Sequence, residues 1–167
     1  MITNFPEAAL KVPNILVPNS DVDIETWATI ACDQYTSEPE YWEQVQTCVR
    51  DAPSTFNMIF PEVYLESVDG DKAVKKINSH MNEYVGSHLM RELSPGFVLV
   101  ERQLPRGVKR RGLIVALDLE QYSYDKNEKK LIRTTEGTVL NRLPPRIEVR
   151  KQALIELPHI MVLIDDP

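Results

Sequence analysis

The stretch DGDKAVKKINSHMNEYVGSHLMREL, residues 69–93, decides how this chain folds. Its apolar residues fall at Val74, Ile77, Met81, Val85 and Leu89, in steps of three and four. That spacing gathers them on one side of an α-helix and leaves lysines and other polar groups on the opposite side. Asp69 or Asp71 suits the start, because a short carboxylate accepts the free backbone N–H groups of a first turn. Ser94-Pro95-Gly96 breaks the pattern, so the helix is expected to reach about Leu93.

An amphipathic helix needs apolar partners, and the flanking segments offer them. Upstream, Asn14–Val17 (NILV) stands between two prolines and reads as a short strand. Thr26–Cys32 (TWATIAC) is apolar and β-branched, as a buried strand or a short helix would be. A helix is expected from Glu38 to about Arg50, with Tyr41 or Trp42, Val45 and Val49 on one face. Ser37-Glu38-Pro39-Glu40 has the form of a capping box, with Pro39 in a first turn that does not miss its N–H. Ser54–Phe60 (STFNMIF) reads as a strand stopped by Pro61.

Downstream, Phe97–Leu104 and Gly112–Leu119 read as an antiparallel hairpin. Its basic connection, Pro105–Arg111, holds the turn pair Arg106-Gly107. Tyr124–Glu128 is a second turn. Leu143–Leu157 reads as a helix with Pro144 and Pro145 in its first turn and Ile147, Leu154 and Leu157 on its core face. Pro158 ends it before a last strand, His159–Ile164. The fold expected is α+β, a mixed, mainly antiparallel sheet with packed helices. A length of 167 residues suffices for a single domain with a real core, spanning 1–167. The apolar run close to its end suggests a chain trimmed from a longer one.

Composition narrows the setting. No run of 18 apolar residues exists, so no membrane span is expected. The start, MITNFPEAALKVP, lacks the basic and apolar regions of a secretory signal. Cys32 and Cys48 form neither a disulfide framework nor a metal-ligand spacing, which points to the cytoplasm. The net charge of −6 is unevenly placed: residues 1–69 carry −10 and the remainder +4. An acidic first half argues against nucleic acid as a broad partner and leaves room for a local anion site in the second. The simplest alternative is that the two halves attract each other.

The best candidate site is KLIRTTEGTVLNRLPPRIEVRK, residues 130–151. Arg133, Arg142, Arg146, Arg150 and two lysines stand against Glu136 and Glu148, a net of +4. Thr134-Thr135-Glu136-Gly137-Thr138 is a polar loop, and the following helix would aim its N–H groups at it. Arg146 and Arg150 are four apart and so share a face. Hydroxyls, guanidinium groups and a helix start together suit an anion such as phosphate. Glu136 could orient an arginine, hold magnesium or act as a base. A solvated basic face with Glu136 in an ion pair is the plainer reading. No P-loop is present, because no GxxxxGK[ST] occurs.

Other polar groups carry less. Cys32 has an acid, Asp33, beside it and no histidine near it in sequence, so a small buried residue fits better than a nucleophile. Asp33 and Gln34 directly follow an apolar run, a place where ligand groups are often presented. His80 and His88 lie eight apart with Tyr84 between them, on one helical stripe, but no third ligand accompanies them and no metal site is assigned.

The residues resemble a known family. WATIACDQYTSEPEYW (Trp27–Trp42), PSTFNMIFPEVYLE (Pro53–Glu66), GLIVALDLEQYSY (Gly112–Tyr124) and LIRTTEGTVLNRLPPR (Leu131–Arg146) followed by PHIMVLIDD carry the likeness. The chain is similar to the bacterial and archaeal "domain of unknown function 1015" family, in its firmicute-type branch. Glu136, Thr138 and Arg146 match the family's HExT…Arg motif, with Arg146 eight positions after Thr138, while Thr135 stands where its histidine would be. Members are roughly twice as long, so the resemblance implies an N-terminal portion.

The family's function is not established. A distant link to the ParB/sulfiredoxin-like superfamily implies a nucleotide- or phosphate-binding domain, such as that of a free-serine-type kinase using ATP and magnesium. Arg146 and Arg150 would then hold phosphate, with Thr134, Thr135, Arg142 and Gln34 among the ligand-binding residues. Thr138 would donate a hydrogen bond, and Glu136 or Asp33 would handle metal or proton as the catalytic groups. A small phosphorylated or anionic ligand is the partner this implies. One alternative is a non-catalytic interaction module that docks a basic partner on an acidic face. Another, implied by the ParB likeness, is a DNA-binding role, against which the net charge of −6 and the lack of a helix-turn-helix pattern count.

Overall fold

A computed structural model of the chain describes residues 3–66, 69–125, 127–134, 137, 139–157 and 160–164. In chain order the elements are β1 (Asn4–Phe5), β2 (Leu10–Lys11), β3 (Leu16–Pro18), α1 (Ile24–Trp27), α2 (Pro39–Val49), α3 (Gly70–Gly86), β4 (Met90–Glu92), β5 (Val98–Gln103), β6 (Lys109–Ile114), β7 (Ala116–Leu117), β8 (Tyr122–Ser123), β9 (Ile132–Arg133) and α4 (Leu143–Gln152), with short 3-10 turns between several of them. The fold is mixed α+β with small, mainly antiparallel sheets, as the patterning predicts. The chain forms two compact units, one of residues 1–17 and 92–138 and one of residues 18–91 and 139–167.

The first unit is β-rich. β1, β2 and β7 form an antiparallel sheet with Phe5 opposite Leu10 and Leu10 opposite Leu117. β5 and β6 form the expected hairpin, in register from Val98–Ile114 to Gln103–Lys109. Arg106 and Gly107 both take positive φ, 68° and 77°, at its tip. β8 and β9 pair in parallel, and the expected second turn follows β8, where Asp125 accepts the backbone N–H groups of Asn127 and Glu128.

The second unit holds the helices and the core. α3 is capped by Asp69, whose carboxylate accepts the backbone N–H of Lys72. Ile77, Met81 and Tyr84 from α3 pack with Trp27 and Met58, and Val149, Ala153, Ile155 and Leu157 close over them. A polar seam runs through this core. Ser54 and Thr55 donate their hydroxyls to the carbonyl of Trp27, at 3.3 and 2.8 Å. Tyr84 accepts the backbone N–H of Ser54 and the side-chain amide of Asn57, at 3.2 and 2.9 Å. Buried polar groups are costly without partners, and here each of these donors has one.

Several expectations differ in detail. α3 ends at Gly86, not near Leu93, so its buried stripe is Val74, Ile77, Met81 and Tyr84 while Val85 is exposed. Tyr84 wins that position because its ring fills the core and its hydroxyl meets the Ser54 segment. Leu89 still packs on the core, but from beyond the helix. Ser54–Phe60 is no strand: Ser54 accepts the N–H of Phe56 and opens a 3-10 turn, Thr55–Met58. The short-helix reading of Thr26–Cys32 holds only at its start, where α1 ends at Trp27.

The capping box of α2 does not form. Glu38 occupies the cap position without a side-chain bond, and its N–H donates to Tyr35. Aromatic packing sets this turn instead: Tyr35, at φ 49°, stacks on Tyr41 with centroids 4.3 Å apart, and Trp42 Nε1 donates to its carbonyl. Trp42 is fully buried, Val45 half-buried and Val49 buried, so the α2 face is as expected. α4 stops at Gln152, which frees Leu154 from the helix; Ile147 and Leu154 are exposed, and Val149 makes the core contact. Residues 160–164 are exposed and form no strand. His159 lies outside the described residues.

Candidate anion site

The second unit brings one carboxylate and two guanidinium groups together. Pro61 leads into a 3-10 turn, Glu62–Tyr64, and the backbone N–H of Glu62 donates to the carbonyl of Cys32 at 2.8 Å. That bond fixes the turn beside the segment that leads to α2. The Glu62 side chain is only 3% exposed. Arg142 and Arg146, four apart at the start of α4, both reach it. Arg142 Nη1 lies 2.8 Å from Oε2 as an ion pair without hydrogen-bond geometry, and Arg146 Nη2 donates to Oε1.

Burying a carboxylate is tolerable here because two cations and a hydrogen bond replace its water. The arginines are not consumed by it. Their side chains remain 47% and 44% exposed, and the cluster carries one net positive charge. A shared carboxylate thus holds two planar donors close together while nearly half of each side chain stays open to solvent.

Cys32 sits at the edge of this cluster, half-buried. Burial pushes its thiol pKa up; Arg146 pulls it down, while Asp33 and Glu62 push it up again. A thiol held protonated is a poor nucleophile, in line with the sequence reading.

The remaining sequence candidates scatter. Arg150 shares the helix with Arg146 but pairs with Glu156 and does not join Glu62. Asp33 and Gln34 are exposed and touch each other at 3.4 Å. Thr134 belongs to the first unit, where it accepts from Tyr122 and donates to Ser123. Thr135, Glu136 and Thr138 lie outside the described residues. The start of α4 supplies no free backbone donors, contrary to expectation. Pro144 and Pro145 have no N–H, and that of Leu143 donates to Leu140. Any anion here is held by side chains.

His80 lies on α3, 3.8 Å from Glu83, but His88 lies beyond the end of that helix, so the two do not share a helical stripe. Among the described residues no group of three or more histidine, cysteine or acidic side chains could hold a metal ion. No helix among them is long and apolar enough to cross a membrane.

Glu62 is the residue sequence reading missed. Its signal was a lone acid inside the apolar run Met58–Leu65 (MIFPEVYL), which needs a cationic partner if it is buried. Residues 15–167 match the family described as "Protein of unknown function (DUF1015)". The chain belongs to this family. The match takes in Cys32, Glu62 and α4, so every member of the cluster lies inside the family's own sequence. No curated protein and no solved structure shows a match to the chain.

Proposed function

We propose that this family member binds a small anionic ligand, a phosphate or nucleotide, through Arg142 and Arg146. One observation supports the reading: a single buried carboxylate holds both guanidinium groups while nearly half of each side chain stays open to solvent. Two arginines tied to one point lose little side-chain freedom when a phosphate arrives, so ordering costs less. Glu62 is then a positioning residue and the arginines are the ligand contacts. In the kinase form of this reading ATP and magnesium enter, with Asp33 or Glu136 handling metal or proton.

A thermal-shift panel tests it, with phosphate, pyrophosphate, ADP, ATP and CTP, each with and without magnesium. A ligand at a hundred times its dissociation constant adds about 2.7 kcal/mol to the native state. The expected result is a shift with at least one phosphate compound that is lost in Arg146→Ala. No shift with any of them overturns the reading.

A second reading is an interaction module. It is favoured by the acidic charge of the second unit, whose exposed Asp23, Glu25, Glu40 and Glu43 lie on or beside α1 and α2. Salt-sensitive capture of a basic partner, unaffected by Arg146→Ala, would support it.

A further inference from the structure

The β5–β6 hairpin of the first unit carries charge that its own neighbours leave unpaired. Between residues 101 and 111 stand Arg102, Arg106, Lys109, Arg110 and Arg111 against Glu101 alone. Both strands are exposed along nearly their whole length, so both faces of the ribbon meet solvent. On one face Glu101 pairs with Lys109 and Arg111, at 2.8 and 3.0 Å. On the other face Arg102 stands directly opposite Arg110. Among the described residues no carboxylate pairs with either of them. Like charges directly opposite on a ribbon repel. The tip is tightly closed: Leu104 donates its N–H to Val108 at 2.7 Å, and Arg106 stands at the apex with φ 68°.

From this geometry we infer that the hairpin inserts into the major groove of duplex DNA. A ribbon with cations on both faces and at its tip is matched by a partner with anions on more than one side. The phosphate walls of a groove provide that, whereas an acidic protein segment meets one face or one edge. Six-residue strands span about 20 Å, and the B-form major groove, about 12 Å wide, admits a two-stranded ribbon. The major groove of duplex RNA is too deep and narrow for side chains to read.

The whole-chain charge of −6 does not oppose this, because the negative excess belongs to residues 1–69 and the segment 101–111 carries +4. Contact with phosphate also relieves the Arg102–Arg110 repulsion, which nothing else among the described residues does.

Fluorescence anisotropy with the full chain and a labelled mixed-sequence duplex tests the inference. Arg102, Arg106 and Arg110 on three phosphates predict that affinity falls about 40-fold between 50 and 200 mM salt. In Arg102→Ala/Arg110→Ala the salt slope should drop by about two and binding should weaken, while the melting temperature does not fall, because a repelling pair has been removed. Arg146→Ala should bind DNA as the parent does, which separates this inference from the anion site.

Three results would overturn it: no binding at 50 mM salt, unchanged binding in the hairpin variant, or tighter binding of polyglutamate than of DNA. The last would assign the hairpin to an acidic protein.

Discussion

Arg142 Nη1 lies 2.8 Å from Oε2 of Glu62, and the two residues are eighty positions apart in the chain. The partners are unequal: the carboxylate is buried and the guanidinium is half open to water. When such a pair is broken, the buried member pays most of the penalty, because the exposed one turns to solvent.

Arg146→Ala should therefore destabilise the fold by about 1–3 kcal/mol, since it leaves a buried carboxylate with one partner fewer. Glu62→Gln should cost less, as both guanidinium groups can find water. Urea denaturation of the two variants gives the order, and a reversed order would contradict the asymmetry. Glu62→Gln also tests positioning. It raises the local positive charge, yet it should weaken phosphate binding if the carboxylate is what holds the arginines in place.

Tyr84→Phe probes the polar seam of the core. The ring stays and the hydroxyl goes, so the buried N–H of Ser54 and the amide of Asn57 lose their shared acceptor. A cost of about 1–3 kcal/mol is expected, in the range for a buried donor left unsatisfied. Hydrogen exchange at the Ser54 amide should accelerate in the variant. A stability equal to the parent's would mean that the seam is no part of the folding energy.

The two cysteines should differ in reactivity. Cys48 is exposed and Cys32 is half-buried with a raised pKa, so alkylation at neutral pH should label Cys48 first. Glu62→Gln removes one of the charges that push the Cys32 pKa up and should speed its labelling; Arg146→Ala should slow it. The linkage has a definite sign. A raised folded pKa favours the protonated thiol in the native state. Its contribution is fully present below the unfolded pKa and is lost as pH rises through the folded one. Cys32→Ser should accordingly flatten part of the loss of stability on the alkaline side, read from melting temperature against pH.

Much of the fold was legible because it is encoded over a few residues. The three-and-four spacing of Val74, Ile77 and Met81, the Asp69 cap, Pro39 at the start of α2 and the Arg106-Gly107 turn each act within about one turn of chain. Periodicity failed where a distant contact decided the outcome. Tyr84 faces the core in place of Val85 because its hydroxyl meets Ser54, thirty residues away. Ser54–Phe60 has strand-like composition, yet Ser54 closes a 3-10 turn onto its own backbone, a local competitor to the strand.

The candidate site divides along the same line. By itself the sequence determined that α4 begins with two prolines and carries arginines four apart, and that the chain resembles its family. Only the tertiary structure decided which of those arginines work together. Arg146 joins Arg142 on Glu62, while Arg150, one turn further along, is taken by Glu156. The reason is physical: local propensity shapes a segment from its own residues, whereas a buried carboxylate takes whatever cation the packing of distant segments delivers to it.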